Sequence, residues 1–147
     1  MLQEQAARVM REFELSTRAA TELVTANPGE LEFYRYYDLT SVSPTKVRYF
    51  MNGGTFLVGK TKPVGVPPGV IYPPENEEVD FLIENVVNGS SIFNYYDDNN
   101  SELTSPFNIS SVKMVRLTIS LDRNPDALPN MITETTVINL RNMKRNL

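Results

Sequence analysis

Asp97-Asp98-Asn99-Asn100 is the tightest cluster of oxygen-bearing side chains in the chain. Calcium takes several carboxylate and carbonyl oxygens, so this run is the one metal candidate. It lacks the glycine and the distant glutamate of an EF-hand loop, and Asp and Asn favour turns in any case, so it reads as a solvated hairpin turn. A second acidic group, Glu75, Glu77, Glu78 and Asp80, could supply paired carboxylates. It adjoins a proline-rich stretch that offers no rigid scaffold for acid–base work, so it reads as an exposed acidic rim. Gly54-x-x-x-x-Gly59-Lys60-Thr61 has the letters of a phosphate-binding loop. Such a loop must join a strand to a helix, and here Thr55-Phe56-Leu57-Val58 is strand-like while Pro63 follows at once. The chain has no His and no Cys. That excludes imidazole bases, thiol nucleophiles, disulfides and His- or Cys-held metals. The expectation is a non-enzyme without a cofactor.

Six tyrosines, Tyr34, Tyr36, Tyr37, Tyr49, Tyr95 and Tyr96, fall on aromatic stretches with Arg35, Lys46 and Arg48 nearby. They could form a stacking platform for a base or a sugar. Tyrosines on half-buried strands are the ordinary explanation. The formal net charge of −4 argues against nucleic-acid binding. Arg141, Lys144 and Arg145 make the chain's end locally basic, which reads as a solvated terminus. Asn88, Asn99 and Asn108 open glycosylation triplets by letter, which matter only in a eukaryote.

The elements that must position these residues follow from the periodicity. Leu2, Ala6, Val9, Phe13, Ala20 and Val24 recur near a spacing of 3.6, predicting one amphipathic helix over 2–26 that Asn27-Pro28-Gly29 stops. Glu4–Arg8 and Glu14–Arg18 would support it as pairs one turn apart. The period then changes to two. Strands are predicted over 31–39, over 47–51 and 55–59 joined at Asn52-Gly53-Gly54, over 92–96, over 112–121 and over 132–140. Residues 62–78, with five prolines and two glycines, form a long stiff loop without PxxP spacing. Val79, Leu82, Ile83, Val86 and Val87 fit a short helix over 79–87. Asp122–Asn130 reads as a loop. No run of 18 apolar residues is present. The fold class is α+β, a long N-terminal helix packed on antiparallel sheet. One globular domain is expected over 1–147, with the helix in 1–27 and an antiparallel β domain in 28–147.

Taken in order, these segments resemble a known family. The uncapped helix, V-x-Y-x-x-N-G-G-T-F over Val47–Phe56, and the proline-rich loop are similar to type IV pilin-like proteins and the minor pseudopilins of type II secretion. LIENVVNGSSIFNYYDDNN (Leu82–Asn100) and SSVKMVRLTISLD (Ser110–Asp122) resemble the J-type subunits. Val137-Ile138-Asn139-Leu140-Arg141-Asn142 resembles the family's closing strand. No single motif is specific, and the order carries the likeness.

The resemblance implies a structural, bacterial subunit of a pilus or pseudopilus, in the cell envelope. Its precursor would be anchored in the inner membrane by an apolar helix of about 20 residues ahead of residue 1. The globular part would be periplasmic or extracellular. The absence of Cys favours a minor subunit over a major pilin, and Asn99 or Asn100 stands where the J-type turn often has glycine. Other pilin subunits would be the partners. The start of the helix, Leu2, Ala6, Val9 and Phe13, would meet them, as would the loops at Pro63–Glu78 and Asp97–Pro106. The alternative is an extracellular ligand- or glycan-binding β-domain using the tyrosine-rich strands.

Overall fold

The computed structural model describes residues 2–122 and 131–140. One helix comes first, α1 (Leu2–Arg18). Five strands follow as an antiparallel meander in chain order: β1 (Glu22–Asn27), β2 (Glu30–Arg35), β3 (Thr45–Asn52), β4 (Thr55–Thr61) and β5 (Glu78–Ile83). A second, three-stranded antiparallel sheet comprises β6 (Phe93–Tyr96), β7 (Met114–Asp122) and β8 (Met131–Asn139). The expected α+β class with its N-terminal helix on antiparallel sheets is what the chain adopts.

α1 is shorter than its periodicity predicts. Its last turn tightens, with the Ala19 and Ala20 amides donating to the Ser16 and Thr17 carbonyls, and the Thr21 amide then donates to the Tyr34 carbonyl at 2.8 Å. Residues 22–26, expected to continue the helix, lie instead in strand β1. Leu23 and Ala26 lie opposite Phe33 and Leu31, and Val24 is the extra residue of a bulge. The apolar spacing at Ala20 and Val24 served both periods, and pairing with β2 decided between them. Tertiary contacts outweigh the helix preference of two alanines.

Asn27-Pro28-Gly29, expected to stop the helix, is instead the β1–β2 hairpin turn. It also clamps the second sheet. The Pro28 carbonyl accepts from the amides of Ile92 and Phe93, both at 2.9 Å, and the Tyr95 hydroxyl donates to the Asn27 carbonyl at 2.7 Å. A Cβ on Gly29 would stand 2.7 Å from the Ser90 carbonyl oxygen, so only glycine allows this approach.

The Asn52-Gly53-Gly54 hairpin forms as expected, with Asn52 opposite Thr55 and Gly53 at φ +63°. Residues 79–87 do not form the expected helix. β5 completes the β4 edge, with Leu57 opposite Phe81 and Gly59 opposite Val79. Of the apolar stripe, Ile83 and Val86 are buried while Val79 and Val87 are exposed, a division that pairing creates and helical spacing does not. Beyond β5, Val86 bridges to Leu121 of β7 and its amide donates to the Gly54 carbonyl at 2.9 Å, tying the two sheets together. The loop expected over 122–130 lies outside the described residues, except that Asp122 ends β7; the basic tail lies outside them as well.

The core is one cluster fed by every layer. Ala6, Val9, Met10 and Phe13 of α1 join Leu31, Phe33, Val47, Tyr49 and Phe56 of the first sheet and Phe93, Tyr95, Val115, Leu117 and Ile138 of the second. Phe13 meets Tyr49 edge-on at 5.0 Å between ring centroids and Phe93 at 5.8 Å, so one side chain touches both sheets. Phe13→Ala should destabilise the fold by about 3–5 kcal/mol, read as a lower urea midpoint at unchanged slope. Gly29→Ala should cost about 1–3 kcal/mol by overpacking the clamp, and Ser90→Gly in the same chain should recover little of it, because the carbonyl clash remains.

Candidate interaction surfaces

The side chains singled out for chemistry are placed in structural roles. Asp97 Oδ1 accepts from the amides of Asn99 and Ser101 at 2.9 and 3.0 Å, so its carboxylate closes the turn. No group of three or more His, Cys, Asp or Glu side chains is arranged to hold a metal among the described residues. Gly59, Lys60 and Thr61 end β4, a strand that enters no helix. The Asn88 amide donates to the Thr118 carbonyl and its oxygen accepts from the Ser120 amide, so the side chain extends the ladder along β7.

Glu77 departs from the expected exposed rim. The Arg48 guanidinium grips it through two donors at 2.9 and 2.7 Å and reaches Glu30 at 3.1 Å. Both acids raise the Arg48 pKa, with Glu77 the larger cause, and the guanidinium lies 3.7 Å from the Phe50 ring centroid. A Cβ on Gly59 would collide with the Glu77 carboxylate, so the glycine in β4 is what makes room for this pair. The interaction fixes the chain just ahead of β5. Sequence spacing alone could not have found it, because 29 residues separate the partners. Glu75, Glu78 and Asp80 remain exposed as expected.

The tyrosines do not form a flat platform. Tyr49 and Tyr95 are buried, Tyr34 and Tyr72 meet at 42°, and Tyr37 alone of the seven is exposed, with Arg35 stacked on its ring at 3.9 Å. The Tyr72 hydroxyl donates to the Pro44 carbonyl at 2.8 Å, which fastens the proline-rich loop to the β2–β3 loop.

Of the residues expected to meet partner subunits, Ala6, Val9 and Phe13 point inward and are buried. Their spacing marks the face of α1 that the domain's own sheets cover, because a stripe near 3.6 reports burial without saying by what. Leu2 is the first residue of α1. The opposite face exposes Glu4, Ala7, Arg11 and Leu15, each three or four residues from the next, and Leu15 is 63% exposed.

The architecture of one helix laid on antiparallel sheets is that of the type IV-like pilins. A type IV-like pilin from Thermus thermophilus superposes with a TM-score of 0.58 over 98% of this chain and 98% of its own, at 12% sequence identity. The sequence matches no family profile and no curated protein. The shared feature is the fold.

Burial pushes the Tyr49 pKa up from 10.0 to about 12 and raises that of Tyr95 further. In both, the folded pKa exceeds the unfolded one, so their contribution to stability is complete below pH 10 and is lost as pH rises toward 12 and beyond. Unfolding monitored by tyrosinate absorbance should therefore show two of the tyrosines ionising only together with loss of structure. Tyr49→Phe should shift the alkaline midpoint upward; independent titration of all tyrosines near pH 10 would contradict this placement.

Proposed function

We propose that this chain is a structural, non-catalytic subunit of a type IV pilus or of a type II secretion pseudopilus, and a minor one of the J type. The observation that carries the reading is the fold likeness to a type IV-like pilin across 98% of both chains, with the helix as first element in both sequence order and packing. The two segments that resemble J-type subunits, Leu82–Asn100 and Ser110–Asp122, support the narrower assignment, and the lack of Cys supports a minor role.

In this reading the subunit works by contact. Because Ala6, Val9 and Phe13 are committed to its own core, we assign the helical contact to the outward stripe through Ala7, Arg11 and Leu15. An exposed leucine between charged neighbours gives a small apolar anchor with a polar rim, the pattern of an interface whose centre is desolvated. The loops at 63–78 and 97–106 offer further contacts to subunits or cargo. The subunit belongs to the cell envelope, anchored through an apolar helix continuous with α1. Among the described residues no helix is long and apolar enough to cross a membrane.

In the source cells, the full-length gene product should fractionate with membranes and cross-link to other pilin-like subunits. A Leu15→Glu, Arg11→Glu variant should keep its melting behaviour, surface changes being worth within about 0.5 kcal/mol. It should also lose most of the cross-linked product. A full-length protein that is soluble and monomeric in the cell would refute the reading.

A further inference from the structure

Two loops at one end of the first sheet concentrate exposed apolar side chains. Residues 36–44 join β2 to β3 there, and residues 62–77 join β4 to β5. Lys46 lies opposite Thr61, which sets the loops side by side, and the Tyr72 hydroxyl donates to the Pro44 carbonyl across them. Of the twelve large apolar side chains exposed among the described residues, six lie here: Tyr37, Leu39, Val42, Val64, Val66 and Ile71. Leu39 is fully exposed, and Val42 and Val66 are 76% and 77% exposed. Such a concentration marks a contact with a protein or with a membrane.

The chemistry of the second loop decides between the two. Pro63–Pro74 is a run of twelve residues without one charged side chain. Its single side-chain hydroxyl, on Tyr72, is committed to Pro44. The backbone is nearly as poor in free donors. Val64 and Ile71 exchange both amide–carbonyl bonds at 2.9 Å, and the Gly69 amide donates to the Val66 carbonyl at 2.8 Å. Pro67 and Pro68, at the tip, have no N–H. Among the described residues, this turn keeps only the Gly65, Val66 and Val70 amides without a backbone acceptor. A protein interface rings its apolar centre with hydrogen-bonding groups. This turn has almost none to offer. Hydrocarbon asks for none, and it penalises every unpaired donor that enters it.

We propose that the turns at Leu39–Val42 and Val64–Ile71 insert into the surface of an anionic lipid bilayer. Leu39, Val42, Val66 and Ile71 enter the acyl boundary. Arg35, Lys60 and Lys62 stand at the base of the loops, in no ion pair among the described residues, and meet the lipid phosphates. Arg35 and Lys60 lie against the Tyr37 ring at 3.9 and 5.2 Å, and a tyrosine is at home at headgroup level. Two acids oppose these cations. The Asp38 carboxylate accepts from the Thr40 amide and from the Thr40 and Ser41 hydroxyls at 2.8–2.9 Å, and Glu75 stands beyond the second turn. The charge excess is therefore small, and apolar insertion carries most of the binding. α1 stops at this end, where the Thr21 amide meets the Tyr34 carbonyl, so Leu2 lies at the far end of a helix about 25 Å long. The loops thus meet a bilayer with the start of α1 pointing away from it. The proposal rests on these two loops alone. The helical contact through Leu15 is a separate surface, so vesicle binding and subunit cross-linking fail independently.

The test floats the purified 147-residue chain with vesicles of phosphatidylcholine alone, and with vesicles of equal parts phosphatidylcholine and phosphatidylglycerol. The chain should float with both, and more with the anionic ones. Leu39→Ser with Val66→Ser should weaken binding roughly tenfold or more at an unchanged melting temperature, since both side chains are exposed. Lys62→Glu should lower the preference for the anionic vesicles severalfold and leave binding to phosphatidylcholine in place. The chain has no Trp, so Val66→Trp supplies a single reporter. Its emission should shift to the blue with vesicles and be quenched by brominated acyl chains, while that of Leu15→Trp should not change. No flotation, flotation that survives the double serine variant, or a blue shift at Leu15→Trp in place of Val66→Trp would each overturn the proposal. So would loss of subunit cross-linking in the double serine variant without any vesicle binding, which would assign the loops to a protein.

Discussion

The fold depends on a seam of aromatic rings. Phe13 touches Tyr49 and Phe93; Tyr49 touches Phe33 and Phe56; Phe56 touches Phe93; Phe93 touches Tyr95, and Tyr95 touches Phe107. Each neighbouring pair lies 5.0–6.4 Å apart, in tilted, stacked or edge-on contact. The seam runs from the helix through three strands of the first sheet into the second. Neither sheet is a complete layer alone: five strands leave an apolar inner face that needs a cover, and three strands are near the minimum for stability. The helix and the second sheet jointly provide that cover. This explains why a chain without cysteine uses its α1 stripe for its own core, with Ala6, Val9 and Phe13 buried.

Polar contacts then fix what the seam leaves free. Apolar rings can slide, but a carbonyl that accepts two amides cannot, and the Pro28 carbonyl bonds both Ile92 and Phe93. The buried Tyr95 hydroxyl satisfies itself on Asn27, and the same turn admits the second sheet only because Gly29 has no side chain. On the solvent face, the Arg48–Glu77–Glu30 group holds the return of the proline-rich loop against the sheet. Two of these contacts each rest on a residue whose small size permits the approach: Gly29 beside Ser90, and Gly59 beside Glu77.

Much of this was legible in the sequence. Strict alternation over Val115–Leu121 and the Asn-Gly hairpin gave β7, β3 and β4 nearly to their ends, because period two and positive φ have few other readings. The misreadings share one cause. Residues 20–24 and 79–87 carry apolar residues that fit either period, and a neighbouring strand edge decided each case. Periodicity is a local property; the strand edge that takes up these residues is not. The same gap explains the contact residues. Ala6, Val9 and Phe13 were recognisable as an apolar face, but whether that face met the chain's own sheets or another molecule depended on strands still to be placed.

That distinction bears on how such a subunit can assemble. A domain that uses its helical stripe to complete its own core can associate without unfolding any part of itself, so its contacts must come from what folding leaves over. Among the described residues, what folding leaves over includes an outward helical line centred on Leu15, the proline-rich loop that Tyr72 fastens to Pro44, and the outer edge of β5. The first two are side-chain surfaces, whose selectivity rests on shape and charge. The third is backbone, which would pair with almost any extended chain were it not for Glu78 and Asp80. Acid on an edge strand is usually a defence against aggregation. Glu78 and Asp80 stand exposed on this edge, where like charge disfavours pairing with another acidic strand.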